Sequence, residues 1–366
     1  MIPQIEPWID HGELDELRRV IDSTFLVEHE RTREFEAMTR ELTGARHAIA
    51  VCNGTMALYC CLLALGIGPG DEVLVPDMTF IATANAVIMA GAVPVFCDIL
   101  PDTYCLDPED AERMVTPRTK AVMPVHLYGQ SADMERILAF AKRHGLFVIE
   151  DAAQGVGVRY RGRHVGTFGE LGILSYYGNK TITCGEGGIV LTDDDELARA
   201  VYRLKNHGRD RKGVFIHEHI GFNFSFTDLQ AAVGIAQMKK LPAIIERKRQ
   251  IHDFYQQALA DVPQVRPVAL DPQADPVFWF TSYRAEDVEG LAGHLSELGI
   301  QTRRFFYPLH MQPCYQGRGL SNRPFPAAEE AYRHGLSLPS SYRLTQEQLD
   351  RVVSGIRQYH GLPACV

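Results

Sequence analysis

Long apolar runs are missing from this 366-residue chain: none approaches the roughly 18 residues from which a membrane-spanning helix forms. Lysine is scarce, with eight in the chain, and tryptophan scarcer, with two. No stretch gathers charge of one sign. The 37 basic and 46 acidic residues leave a formal net charge of -9, which offers nucleic acid or an anionic membrane no basic surface. Any anionic ligand must then be held by a local site. Eight cysteines are present (Cys52, Cys60, Cys61, Cys97, Cys105, Cys184, Cys314 and Cys365), but no CxxC pair or His/Cys cluster has zinc spacing, so reduced, mostly buried thiols and no metal are expected. The opening residues MIPQIEPWIDHGELDEL carry acids where a signal or transit peptide needs bases, which points to a cytoplasmic location.

Hydrophobic residues make up 46% of the chain and are spread along it, enough for a large core and two domains. From about residue 47 to 195, short runs rich in Val, Ile, Leu and Phe alternate with helical patterns, the rhythm of βαβ units and an α/β fold with a mostly parallel sheet. Strands are expected at His47–Cys52, Glu72–Val75, Val93–Asp98, Ala121–His126, Leu146–Glu150, Ile173–Tyr176 and Gly188–Thr192. Helices are expected at Thr55–Leu65, Ala82–Ala90, Met134–His144 and Leu197–Asn206. A long helical stretch from Thr227 to about Ala260, interrupted at Pro242, leads into shorter, proline-punctuated segments. The boundary is therefore set there: a large domain over 1–241 and a small α+β domain over 242–366, with a strand at Phe278–Tyr283 and helices at Asp287–Leu298 and Gln346–Tyr359. Gly155-Val156-Gly157 follows a strand, but the next glycine, Gly162, comes one residue late for a dinucleotide fingerprint and no helical pattern follows.

The informative stretch runs from Leu146 to Thr192. Its first strand ends in Glu150-Asp151-Ala152-Ala153-Gln154, which delivers a carboxylate to the carboxyl edge of a sheet, where open α/β folds bind ligands. An acid followed by small residues suits a flat ring close to the backbone, and Asp151 is the candidate partner of a protonated pyridine nitrogen. By itself Asp151 reads equally well as the start of a turn. Lys180 stands 29 residues further on, between two apolar strands and with no charged neighbour nearer than Glu186. Such surroundings ease loss of its proton and make it a candidate nucleophile toward an aldehyde. Lys142, Lys205, Lys239, Lys240 and Lys248 lie in basic or helical contexts and read as solvated surface. Asn53-Gly54-Thr55 turns a strand into a helix whose first N–H groups would cradle a phosphate, with Ser175 as a further donor; alone, the segment reads as an Asn-Gly turn and a Thr cap.

These residues resemble the DegT/DnrJ/EryC1/StrS group of sugar aminotransferases. EDAAQ, then a serine five residues before a lysine, then T-x-GEGG carry the likeness, and VCNGTMAL, GPGDEVLVPDMTFIATANAV, GAVPVFCDI, TKAVMPVHLYGQ, NHGRD, GFNFSFTDLQAAVGIAQ and FFYPLHMQPCY follow in the family's order. The resemblance implies the aspartate aminotransferase-like fold of type I pyridoxal-phosphate enzymes, with Lys180 joined to the cofactor, Asp151 at the ring nitrogen and Gln154 beside the ring hydroxyl. It further implies that Phe80 stacks on the ring, that Gly54, Thr55 and Ser175 hold the phosphate, and that Asn223 reaches that phosphate from the second subunit of a homodimer. Read without it, Phe80 is a core residue and Asn223 a turn residue. His207, Arg303 and His310 fall in segments similar to the family's substrate region and are candidates for the sugar or diphosphate pocket. MPVHLYGQ and GNKTIT-x-GEGG resemble members that aminate C4 of a GDP-linked 4-keto-6-deoxy sugar, although those carry Glu at the position of Gln154 and a base at that of Ser225.

The expected reaction is transfer of an amino group from L-glutamate, by way of pyridoxamine phosphate, to a nucleotide-linked keto-sugar, with ping-pong kinetics. One lysine serves as nucleophile and as acid and base. The rival readings are a sugar dehydratase, for which the family's members carry His in place of Lys180, an aminotransferase for another substrate, and a cofactor-binding protein that does not turn over.

Overall fold

The computed structural model describes residues 1–211, 213, 215–320 and 323–363, so Cys365 lies outside the described residues. Each of the seven strands expected before residue 195 forms, within two residues of its anticipated start. They are β1 (His47–Val51), β2 (Glu72–Pro76), β3 (Val93–Cys97), β4 (Thr119–Val122), β5 (Phe147–Asp151), β6 (Leu171–Ser175) and β7 (Gly188–Thr192). Together they make one sheet in the order β1-β7-β6-β5-β4-β2-β3. β6, β5, β4, β2 and β3 run parallel, whereas β7 is antiparallel to both its neighbours. Two reversals restore direction, so β1 points the same way as β5 and β6, and the carboxyl ends of all three share one edge. Helices cover both faces of parallel sheets; β2, β6 and β7 are accordingly buried along their whole length.

The helices Gly54–Ala64, Ala82–Met89 and Met134–His144 lie within a residue of expectation. The next, Asp195–Lys205, starts two residues early because the Asp194 carboxylate accepts the N–H groups of Glu196 and Leu197. The break expected at Pro242 is absent: one helix spans Asp228–Ala258, begun by a capping box between Thr227 and Gln230. A proline removes one interior hydrogen bond, but packing holds this helix on both sides of it. Leu241 and Ile244 are buried in the main core, Ile251 and Tyr255 in a second one.

That second core lies under an antiparallel sheet of Val265–Pro267, Thr281–Ala285, Gly335–Leu338 and Arg303–Arg304, in that order, and the helices Val288–Glu297 and Gln346–Tyr359. The strand expected from Phe278 begins only at Thr281. Trp279 and Phe280 instead turn into the main core, where the Trp279 indole N–H donates to the Asn179 carbonyl at 2.6 Å. Two lysines expected at the surface are also inside: Lys205 is 1% and Lys248 3% exposed. Lys205 donates to the Ala50 carbonyl at 2.6 Å and pairs with Glu28 at 3.0 Å. Lys248 donates to the carbonyls of Trp279 and Ser340, each at 3.1 Å, and burial pushes its amine down to about 7.

The carboxyl end of β5 is fixed by Glu150, which is fully buried. Its carboxylate accepts the N–H groups of Gly166 (2.7 Å), Phe168 (2.5 Å) and Gly169 (2.8 Å), pinning the loop that leads into β6. His126 Nε2 lies 2.9 Å from the same carboxylate, and its Nδ1 accepts the Ala132 N–H, which puts the ring proton on Nε2. Burial disfavours the charge, but His126 and the backbone donors outweigh it and hold the Glu150 carboxyl below its ordinary value. Glu150→Gln, which turns amide hydrogens toward these donors, is expected to cost on the order of 3 kcal/mol near pH 7. A carboxyl whose pKa is lowered by folding stabilises above its unfolded value and loses that contribution as pH falls through the folded one. The gap in melting temperature between wild type and variant should therefore be largest near neutrality and narrow in acid; equal melting at pH 7 would contradict this role.

Candidate active site

The shared edge is drawn together by glycine. Gly188 pairs with Val51 of β1 on one side and Ser175 of β6 on the other. A Cβ on Gly188 would lie 2.5 Å from the Asn53 carbonyl oxygen, and one on Gly54 would lie 3.0 Å from Ser175 Cβ. The end of the GEGG run thus has no room for a side chain beside Asn53, and the glycine after Asn53 lets the helix Gly54–Ala64 sit close against Ser175 of β6. Asn53 caps that helix by accepting the Met56 N–H at 2.9 Å. The backbone N–H groups of Gly54 and Thr55 have no acceptor among the described residues. They stand at the positive end of the helix dipole, on the wall of a cavity of about 430 Å³.

Eight of the eleven residues singled out from the sequence line this cavity: Gly54, Thr55, Phe80, Asp151, Gln154, Ser175, Lys180 and Arg303. Asp151 closes β5 and is 4% exposed. Its Oδ1 accepts the Ala153 N–H at 3.1 Å and its Oδ2 the Thr83 hydroxyl at 2.7 Å. Gln154 Oε1 accepts the Tyr128 N–H at 2.7 Å, which leaves its NH2 group as the end free to donate. Tyr128 makes that bond from a left-handed backbone conformation, φ 54°, and its hydroxyl oxygen accepts the Phe306 N–H at 2.8 Å.

Lys180 is half-buried, with Nζ 4.0 Å from the centre of the Trp279 ring. Burial lowers its amine to about 8, against the pull of Asp151 and with the help of Arg303. A lysine in this state supplies an unprotonated amine far more readily than a solvated one. Phe80, a core residue on the bare reading, is instead 54% exposed, with its ring 5.9 Å from that of Phe306, where a planar ligand would meet it. Phosphate donors, a hydroxyl, a fixed carboxylate and a neutralisable amine in one cavity fit pyridoxal phosphate.

His207, Asn223 and His310 do not line the cavity. His310 is engaged elsewhere: its Nδ1 lies 2.6 Å from the buried Asp77 carboxylate and its ring stacks on Phe325. Burial works to lower its pKa, but Asp77 prevails and raises it. His207 is exposed at φ 58°, its carbonyl accepting from His217. Asn223 is exposed, bridged to Asn206. Conversely, Tyr177, Glu186, Trp279 and Phe306 line the cavity without having been singled out. Tyr177 and Glu186 flank Lys180 in the same loop, so proximity in sequence could have found them. Trp279 comes 99 residues later, and its only signal was that it is one of two tryptophans.

Comparison with known proteins gives the chain a family. The profile of the DegT/DnrJ/EryC1/StrS aminotransferase family matches residues 7–357. GDP-perosamine synthase of Caulobacter vibrioides is 41% identical over 363 residues, covering 96% of each chain, and that of Escherichia coli O157:H7 is 38% identical over 98% of each. Among solved structures, S. venezuelae DesV, determined in complex with a ketimine intermediate, superposes with a TM-score of 0.93 at 37% identity over 98% of each chain. With the fold, the cavity and the profile in agreement from end to end, the chain belongs to the DegT/DnrJ/EryC1/StrS aminotransferase family and is a pyridoxal-phosphate-dependent sugar aminotransferase.

Proposed function

We propose that this enzyme moves an amino group from L-glutamate to the keto carbon of a nucleotide-linked 4-keto-6-deoxyhexose, in the manner of a GDP-perosamine synthase, with Lys180 as the catalytic amine. The observation that carries the reading is the position of the Lys180 amine, desolvated over Trp279 in the same cavity as Asp151 and the free N–H groups of Gly54 and Thr55. Pyridoxal phosphate, when bound, supplies an aldehyde that captures amines and a ring that accepts electrons from the adjacent carbon. Gly54, Thr55 and Ser175 bind its phosphate, Asp151 holds the proton of its ring nitrogen, Gln154 donates to its ring hydroxyl and Phe80 covers one face. With that group in place, the Lys180 amine would stand where it can take up a proton and return it to a neighbouring carbon. Arg303, which lies over the Phe280 ring at 5.3 Å, faces the anionic substrate.

The relatives' names support the GDP-linked sugar, and a lysine rather than a histidine at position 180 supports transamination over dehydration. We further propose a cytoplasmic homodimer with shared active sites, in which Asn223 reaches the partner's phosphate site. Its exposure away from its own cavity supports this, as do the exposed apolar side chains of Phe25, Val27 and Ile220. We also propose a division into a large domain over 1–241 and a small one over 242–366; a second core drawn, apart from Ile2, from residues after 250 supports a separate C-terminal unit.

Borohydride treatment of the holoenzyme should fix the cofactor's mass on the Lys180 peptide, and Lys180→Ala should abolish transamination while leaving the circular dichroism unchanged. Incubation with glutamate and GDP-, dTDP- or UDP-linked 4-keto sugars, read by mass spectrometry, should yield the amino sugar on the GDP substrate; labelling elsewhere, or product from none of the three, overturns the assignment. The rate at which apoenzyme recaptures the cofactor should rise with pH through a midpoint near 8, because the unprotonated amine is the nucleophile and the pocket has lowered it to about 8; a midpoint in the ordinary lysine range would refute that. If sites are shared, Asn223→Ala and Lys180→Ala chains, each defective alone, should regain activity on mixing, since one site of the hybrid holds both intact residues. No recovery in a hybrid of verified composition counts against sharing.

A further inference from the structure

A single hydroxyl joins the acid at the end of β5 to the aromatic at the start of the helix Ala82–Met89. Thr83 is fully buried, and its Oγ1 lies 2.7 Å from Asp151 Oδ2, 3.1 Å from the Phe80 carbonyl oxygen and 2.9 Å from Thr79 Oγ1. A hydroxyl has one proton to give. An ionised carboxylate is the strongest of these acceptors and stands nearest, so the Thr83 proton goes to Asp151. The Thr79 hydroxyl then donates to Thr83 Oγ1, and the two form a directed chain, Thr79 to Thr83 to Asp151, whose donors all point toward the carboxylate. With Ala153 N–H on the other oxygen at 3.1 Å, each oxygen of Asp151 is met by one donor, and the plane of the group is fixed.

We propose that Thr83 is a positioning residue for the cofactor: its hydroxyl sets the orientation in which Asp151 meets the ring nitrogen, and the same short segment, 79–83, sets Phe80 against the ring face. This rests on the reading of Asp151 as the partner of that nitrogen. Phe80 and Thr83 stand one helical turn apart, and the Thr83 N–H also donates to the Phe80 carbonyl at 3.2 Å, so the two share one rigid piece of backbone. Removing the hydroxyl leaves Oδ2 without its protein donor in a buried place, and the carboxylate is then free to rotate about its last bond away from the ring.

Thr83→Val, which keeps the shape and removes the hydroxyl, is compared with wild type and Thr83→Ser by equilibrium dialysis of apoenzyme against two probes. One is pyridoxal phosphate; the other is its carbon analogue, with C–H in place of the ring nitrogen. Wild type should prefer pyridoxal phosphate clearly. Thr83→Val should lose about tenfold in affinity for pyridoxal phosphate, as expected for a lost hydrogen bond to a charged group, and change little toward the analogue. Thr83→Ser should restore the preference, and Thr79→Val, which spares the contact with Asp151, should show a smaller loss in the same sense. If Thr83→Val weakens both probes equally, or neither, the positioning role is wrong while the reading of Asp151 stands. If wild type itself does not discriminate between the probes, the reading of Asp151 fails and takes the proposal with it. The comparison reads binding in the folded apoenzyme, so a general loss of stability would weaken both probes together and count against the role.

Discussion

The start of the helix Gly54–Ala64 packs into the edge formed by β6 and β7 where Gly188 leaves room for Asn53 and Gly54 for Ser175, and this close approach is the constraint on which the site depends. A Cβ on Gly188 would meet the Asn53 carbonyl oxygen at 2.5 Å and drive the start of the helix away from β7, and one on Gly54 would press on the Ser175 side chain at 3.0 Å. The free N–H groups of Gly54 and Thr55 would then no longer share a cavity with Ser175 and Asp151. An anion held by a helix start needs those donors aimed at one point, since the field of the helix end falls off within its first turn. The antiparallel strand β7 serves the same end: it separates β1 from β6 while keeping their carboxyl ends on one edge, and it brings Gly188 to the place where they meet.

Charge in the cavity is balanced by contacts that come from far along the chain. Asp151 is an acid almost out of solvent, and it survives there because Thr83 and Ala153 each give it a hydrogen. Its neighbour Glu150 faces the other way, into the loop at 166–169 and onto His126. Two adjacent carboxylates thus have different tasks, one structural and one open to the ligand, and the alternation of a β-strand separates them. Lys180 sits against the Trp279 face, and Trp279 is held at both ends: its indole by the Asn179 carbonyl, its own carbonyl by Lys248. Residues from the C-terminal third of the chain therefore complete the wall that desolvates the Lys180 amine.

Much of this was legible in the residues. Strands buried on both faces give continuous apolar runs, so β1 to β7 could be read off directly, and Asn53-Gly54, Asp151, Ser175 and Lys180 all lie at the ends of those runs, where a parallel sheet gathers its ligand groups. What misled was charge. Lys205 and Lys248 stand in helices among other polar residues and look solvated, yet one face of each helix is buried and backbone carbonyls receive their amines. A lysine's neighbours in sequence report on its own helix, not on the element that packs over it. Pro242 misled for a related reason: local propensity argues for a break, and two cores argue for continuity and prevail.

The sequence by itself determined the strand and helix content and placed an acid and a lysine at the ends of apolar runs, because each of these follows from periodicity or from chemistry confined to a few neighbouring residues. Only the tertiary structure decided that Trp279 and Phe306 close the cavity, that Thr83 bonds Asp151, and that His310 is spent on Asp77. Those contacts join residues 68 to more than 200 positions apart. Such pairs are set by how the sheet edge meets segments from the C-terminal part of the chain, a relation that no local pattern encodes.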